Sequence, residues 1–169
     1  MDEHLEAVVF GLKNRLIENS LTLAVAESCT GGLLSHVLTG ISGSSEYFIG
    51  GMIAYSNEIK IENLGVKEQT ILLHGAVSQQ TAKEMAEAIR EKFNVDIGLS
   101  TTGIAGPTGG TPTKPIGLVW LGISTANETE TYKCNFKGGR DQVKQGAVIE
   151  ILRLLSKSLK KSNEFEVRI

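Results

Sequence analysis

The sequence predicts a single α/β domain, three layers deep, with helices on both faces of a mixed sheet of about five strands. Three observations carry that prediction. Helical and strand-like apolar patterns alternate along the chain. Two glycine-rich loops, ESCTGG and GIAGPTGG, each follow a strand pattern. The strand patterns at 116–125 and 129–136 are separated only by Ala126, Asn127 and Glu128, which makes them a hairpin and gives the sheet an antiparallel part.

In chain order, Leu5, Val8, Val9, Leu12, Leu16 and Ile17 repeat at helical spacing, so 2–18 reads as an amphipathic helix. The run at 21–26 is short and apolar, as a buried strand is. ESCTGG breaks it, and Leu33, Leu34, Val37 and Leu38 resume a helical pattern. A polar loop at 39–45 leads to a second strand at 49–55 and a helix over 57–64. Ser78 stands as N-cap to a helix whose apolar face is Ala82, Met85, Ala86, Ile89 and Phe93. A third strand spans 95–101. The segment 116–125 is apolar on both faces and reads as a central strand, whereas 129–136 turns Tyr132, Cys134 and Phe136 inward and leaves one face wet. Val143, Ala147, Ile151, Leu154 and Leu155 mark a last helix over 140–160.

Composition narrows the function class. The 169 residues are 41% hydrophobic and carry a net charge of −2 with the signs mixed, which argues against a nucleic-acid partner. The basic cluster Lys157, Lys160, Lys161 suits the end of a helix. The acidic start MDEHLEAVVF has no signal-peptide layout, and no apolar run reaches membrane-spanning length, so the expectation is a cytoplasmic protein without a membrane partner. Cys29 and Cys134 are too few and too far apart for a disulfide framework or a metal knuckle. His4 sits on the first helix, and neither His36 nor His74 has a partner at ligand spacing, so no metal site and no histidine triad are expected.

The candidate chemistry lies between 24 and 60. A strand that turns through Ser28, Thr30 and Gly31 into a helix points N–H groups outward and can hold an anion, although the same pattern also serves as plain turn scaffolding. Ser44, Ser45, Tyr55 and Lys60 are side chains capable of acyl chemistry without metal or histidine: a desolvated lysine, neutral near pH 7, can take a serine proton. Cys29, just ahead of a helix, is the competing nucleophile, with buried packing as its other role. Arg140 opens the last helix, where a cation opposes the dipole. That placement suggests a ligand, or else an ordinary solvated arginine.

The ordered set AESCTGG, GSSEYF, YSNEIK, LGV, HGAVS, TTGIAGPTGG, KPIGLVW and GGR resembles the C-terminal domain family of the competence/damage-inducible protein CinA over residues 5–158. The resemblance implies that fold for 1–169 and, by analogy with stand-alone members, a metal- and cofactor-independent amidohydrolase. It would deamidate nicotinamide mononucleotide to nicotinate mononucleotide and ammonia. It puts the nucleophile at Ser45, the base at Lys60 and an assisting tyrosine at Tyr55. It puts substrate contacts at Ser28, Thr30, Gly31, Thr102, Gly103 and Arg140. It also implies the short form of the family, without the molybdopterin-binding-like domain that precedes this one in longer members. The other readings are a silent nucleotide-binding module and an amidohydrolase for another amide. The sequence leaves room for a homo-oligomer.

Overall fold

A computed structural model describes the backbone of residues 3–166 and the side chains of residues 5–159, so the readings of His4, Lys160 and Lys161 fall outside the described side chains. Five strands, β1 (Leu23–Glu27), β2 (Phe48–Ile53), β3 (Ile97–Gly103), β4 (Leu118–Ser124) and β5 (Thr129–Asn135), form one sheet in the order β2-β1-β3-β4-β5. β1 runs parallel to β2 and β3, and β3-β4-β5 is an antiparallel meander. The central strand β1 is buried at every position, as its LAVA run requires, whereas β2 at the edge alternates between half-buried and exposed.

The helices are α1 (Glu3–Glu18), α2 (Leu33–Thr39), α3 (Glu68–His74), α4 (Gln79–Phe93) and α5 (Arg140–Glu166). Against one face of the sheet, α1, α2 and α5 bury Val9, Leu12, Leu16, Leu34, Val148 and Leu152 on Val25, Leu99 and Leu121. Against the other, α4 buries Met85 and Ile89 on Ala24 and Ala26. Ser78 caps α4 through a hydrogen bond from the Thr81 N–H to its hydroxyl. Among the described residues no helix is long and apolar enough to cross a membrane.

Two elements depart from the sequence pattern. The expected helix over 57–64 is a π-helical turn, Ile59–Leu64, and α3 carries no apolar stripe by which it could be read, since Leu72 and Leu73 both face solvent. The chain leaving β1 enters α2 on one face of the sheet, and the chain leaving β2 passes to α4 on the other. A crevice opens where such connections diverge, beyond the carboxyl ends of the parallel strands.

Candidate active site

The crevice holds a cavity of about 220 Å³ lined by Ser28 and Cys29 after β1, Tyr55, Asn57 and Lys60 after β2, Ala76 and Val77 before α4, Thr102, Gly103 and Ala105 at and beyond the end of β3, and Arg140 at the start of α5. Both glycine-rich loops therefore meet at one place. A roomier cleft of about 380 Å³ lies at the opposite end of the sheet, beside Leu21 and Asp96 at the amino ends of β1 and β3, remote from Lys60.

Lys60 lines the cavity. Although a lysine, it is only 1% exposed, because the π-helical turn directs it inward beneath the end of β2. Its Nζ donates to the carbonyl oxygens of Ala54 (2.7 Å) and Tyr55 (3.1 Å) and lies 3.0 Å from Ser28 Oγ. Burial pulls its pKa from the ordinary 10.5 down to about 8. Carbonyl oxygens only accept, so they retain two N–H groups in either protonation state. The contact with Ser28 is the one whose direction can reverse: a neutral amine so held turns its lone pair to the serine hydroxyl.

Ser28 is held as firmly. Its N–H donates to the Thr101 carbonyl (2.9 Å), which fixes the end of β1 against β3. Behind it Glu27 is wholly buried and fills the amino end of α2. One carboxylate oxygen accepts from the N–H groups of Gly32 (2.9 Å) and Leu34 (3.0 Å) and from Thr30 Oγ1 (2.6 Å). The other accepts from the N–H (2.8 Å) and hydroxyl (2.6 Å) of Ser35. Since the Thr30 proton goes to Glu27, Thr101 Oγ1 donates to Thr30 (2.7 Å), and the turn is tied to β3 a second time. Glu27→Ala is expected to cost about 3 to 5 kcal/mol, because it leaves buried donors without an acceptor. A urea titration that finds less than about 1 kcal/mol would contradict this account of the turn.

Several sequence assignments change accordingly. Ser45 is exposed in a 3-10 turn, Ser44–Glu46, before the amino end of β2, whereas Lys60 stands beyond the carboxyl end. The two are separated by the length of the strand, about 16 Å for the steps across its six residues at about 3.3 Å each. It is Ser28, and not Ser45, that stands within hydrogen-bond distance of the Lys60 amine. Thr30 is fully buried and committed to Glu27 and Thr101, and neither it nor Gly31 lines the cavity. The N–H groups of Gly32, Leu34 and Ser35, expected to cradle an anion, already hold Glu27. No local capping pattern reveals this, since Glu27 lies five to eight residues before the groups it caps. Burial pushes the Cys29 thiol up to about 12, opposite to the activation expected of a thiol ahead of a helix.

Tyr55 gives Lys60 only its carbonyl oxygen. Its phenol, on a residue 58% exposed, accepts from Arg140 Nη2 (3.0 Å) across the mouth of the cavity, while Arg140 Nη1 donates to the Gly106 carbonyl (2.9 Å). Thr102 donates from its hydroxyl to the Ala76 carbonyl (2.7 Å), which holds the Ala76–Val77 wall in place. Gly103 permits the close approach of β4: a Cβ there would stand 2.6 Å from the Leu118 carbonyl oxygen. Ala76, Val77 and Asn57 were not found by sequence reasoning, for nothing in their residue types announces a site. Among the described residues, no group of His, Cys, Asp and Glu is placed to hold a metal ion.

Comparison with known proteins agrees with the geometry of the fold. The CinA C-terminal domain family matches residues 5–159. A putative competence-damage inducible protein of Thermoanaerobacter sp. (strain X514) is 49% identical over 158 residues, which are 94% of this chain and 38% of that protein. A CinA-like protein of Thermotoga neapolitana is 47% identical over 159 residues, again 94% of this chain and 38% of the relative. The chain thus spans about two fifths of the length of these relatives. Among solved structures, the competence damage-inducible protein A (ComA) of Klebsiella pneumoniae superposes with a TM-score of 0.90 at 32% identity, over 92% of this chain and 97% of that one. The competence/damage inducible protein CihA of Agrobacterium tumefaciens gives 0.89 at 34% identity, over 92% and 95%. On the extent of these matches and the shared five-stranded sheet, the chain belongs to the CinA C-terminal domain family.

Proposed function

We propose that the protein is a serine amidohydrolase that uses Ser28 as nucleophile and Lys60 as general base, and that its substrate is nicotinamide mononucleotide. The observation that carries the reading is the Lys60 amine, buried, lowered to a pKa of about 8 and fixed by two carbonyls with its third contact 3.0 Å away at a serine hydroxyl. A structural lysine needs neither burial nor a serine partner. The substrate is suggested by the family resemblance and by a cavity that Lys60 and Arg140 line and, among the described residues, no carboxylate does.

In the first half-reaction Ser28 Oγ attacks the carboxamide carbon while its proton passes to Lys60 Nζ. The N–H groups that open the turn after Ser28 are the candidate donors to the resulting oxyanion. The Lys60 ammonium then protonates the departing amine, ammonia leaves, and the pyridine carboxyl remains as an ester on Ser28. Water, deprotonated by the same lysine, hydrolyses that ester and releases nicotinate mononucleotide. Arg140 anchors the phosphate, and Tyr55, hydrogen-bonded to it, walls the mouth rather than relaying the proton.

The direct test is ammonia release from nicotinamide mononucleotide by the purified protein. Absence of ammonia, with the nucleotide still bound, would favour the silent binding module. The pH dependence is a second expectation. Only the free amine can act as base, so kcat/KM should rise about tenfold per pH unit below pH 8 and level off above it, with about one tenth of its plateau at pH 7. A profile flat from pH 6 to 9 would remove Lys60 from that role.

A further inference from the structure

Lys144 lies one helical turn beyond Arg140 on α5, on the same face. Its Nζ is 3.9 Å from the point where a Cβ on Gly31 would stand, so the ammonium rests against the turn that follows Ser28, just outside the residues that line the cavity itself. It is half-buried. Among the described residues, the ion pairs are Lys83–Glu87, Arg90–Glu91 and Arg153–Glu150, and neither Lys144 nor Arg140 takes part in one. Among the described residues, the hydrogen-bond partners of Arg140 are the neutral oxygens of Gly106 and Tyr55. Glu27, the acid closest in sequence to the turn, has both oxygens filled by donors at the end of α2. Two like charges on adjacent turns repel, and among the described residues Asp141, which stands between them in the chain, makes an ion pair with neither.

Resting on the deamidation reading, we infer that Lys144 is a specificity-determining residue of the same site: with Arg140 it forms a two-cation subsite at the α5 rim of the cavity that reads a terminal phosphate monoester. The chemistry selects for charge and for a free phosphate end. A monoester has a second pKa of about 6 and is a dianion where Lys60 is competent. It offers oxygens to both cations, with the guanidinium taking two of them side by side. A phosphodiester, as in a dinucleotide, has one charge and carries a substituent on an oxygen the subsite needs. An uncharged riboside offers nothing.

The test uses Lys144→Ala and Lys144→Arg with the mononucleotide, its riboside and inorganic phosphate. Lys144→Ala should raise the mononucleotide KM and the inhibition constant of inorganic phosphate about 10- to 100-fold. It should leave riboside kcat/KM and the thermal midpoint almost unchanged. Lys144→Arg should restore most of the loss. Equal proportional losses on mononucleotide and riboside, or none on either, would overturn the inference. If the native protein releases no ammonia from the mononucleotide, the deamidation reading fails by itself. Calorimetric titration of native and Lys144→Ala protein with inorganic phosphate and with the mononucleotide then decides on Lys144: weaker binding of both supports the subsite, and equal binding overturns it.

Discussion

Ser28→Ala is expected to lower ammonia release by about 10,000-fold or more, because among the described residues no other hydroxyl is bonded to the Lys60 amine. The change should leave the fold intact. Ser28 is held by its backbone N–H on Thr101, which alanine retains, and the lost side-chain contact is a single hydrogen bond. Ser45→Ala is the matched control. Ser45 is exposed and lies beyond the opposite end of β2, so activity should stay within about twofold, as for a surface change away from the chemistry. Cys29→Ala should likewise keep most activity, since a thiol pushed up to about 12 contributes no thiolate at neutral pH. Steady-state ammonia assays on the three variants, each with a thermal melt, separate these outcomes. An inactive Ser45→Ala beside an active Ser28→Ala would restore the assignment made from the sequence and refute the one drawn from the geometry.

Lys60→Met is expected to have the second largest effect, a loss of about 1,000- to 10,000-fold in kcat/KM with the rising limb of the pH profile abolished. Methionine suits the test because the amine sits in an almost closed pocket: an apolar chain of similar length fills the space, while the Ala54 and Tyr55 carbonyls and the Ser28 hydroxyl lose their partner. Lys60→Arg should be equally inactive, since a guanidinium stays protonated and cannot accept the serine proton. The measurement is kcat/KM between pH 6 and 9 for native and variant protein. A Lys60→Met enzyme with a tenth of native activity and an unchanged profile would place the base elsewhere.

The fold was legible because its signals are local. The strands announced themselves as short apolar runs, α4 by its cap and its apolar face, and the hairpin by the short connection between its strands. α3 was missed for the converse reason: seven residues with Leu72 and Leu73 in solvent present no periodic face. Lys60 was singled out as a side chain able to do acyl chemistry where no histidine triad or metal site competes, and Arg140 as a cation at the wrong end of a helix, and both line the cavity.

By itself, then, the sequence determined the three-layer α/β/α architecture, the family, and two of the charged groups at the cavity. Only the tertiary structure decided which serine meets the lysine. Ser45 is nearer to Lys60 along the chain, but β2 runs its full length between them and carries them to opposite ends of the sheet. β1 lies parallel to β2, which brings its own carboxyl end, with Ser28, to the Lys60 amine. The tertiary structure also decided where the N–H groups at the start of α2 point, because a carboxylate from the preceding strand folds back into them. Local pattern fixes each element, whereas strand direction and chain return fix which element ends share a site.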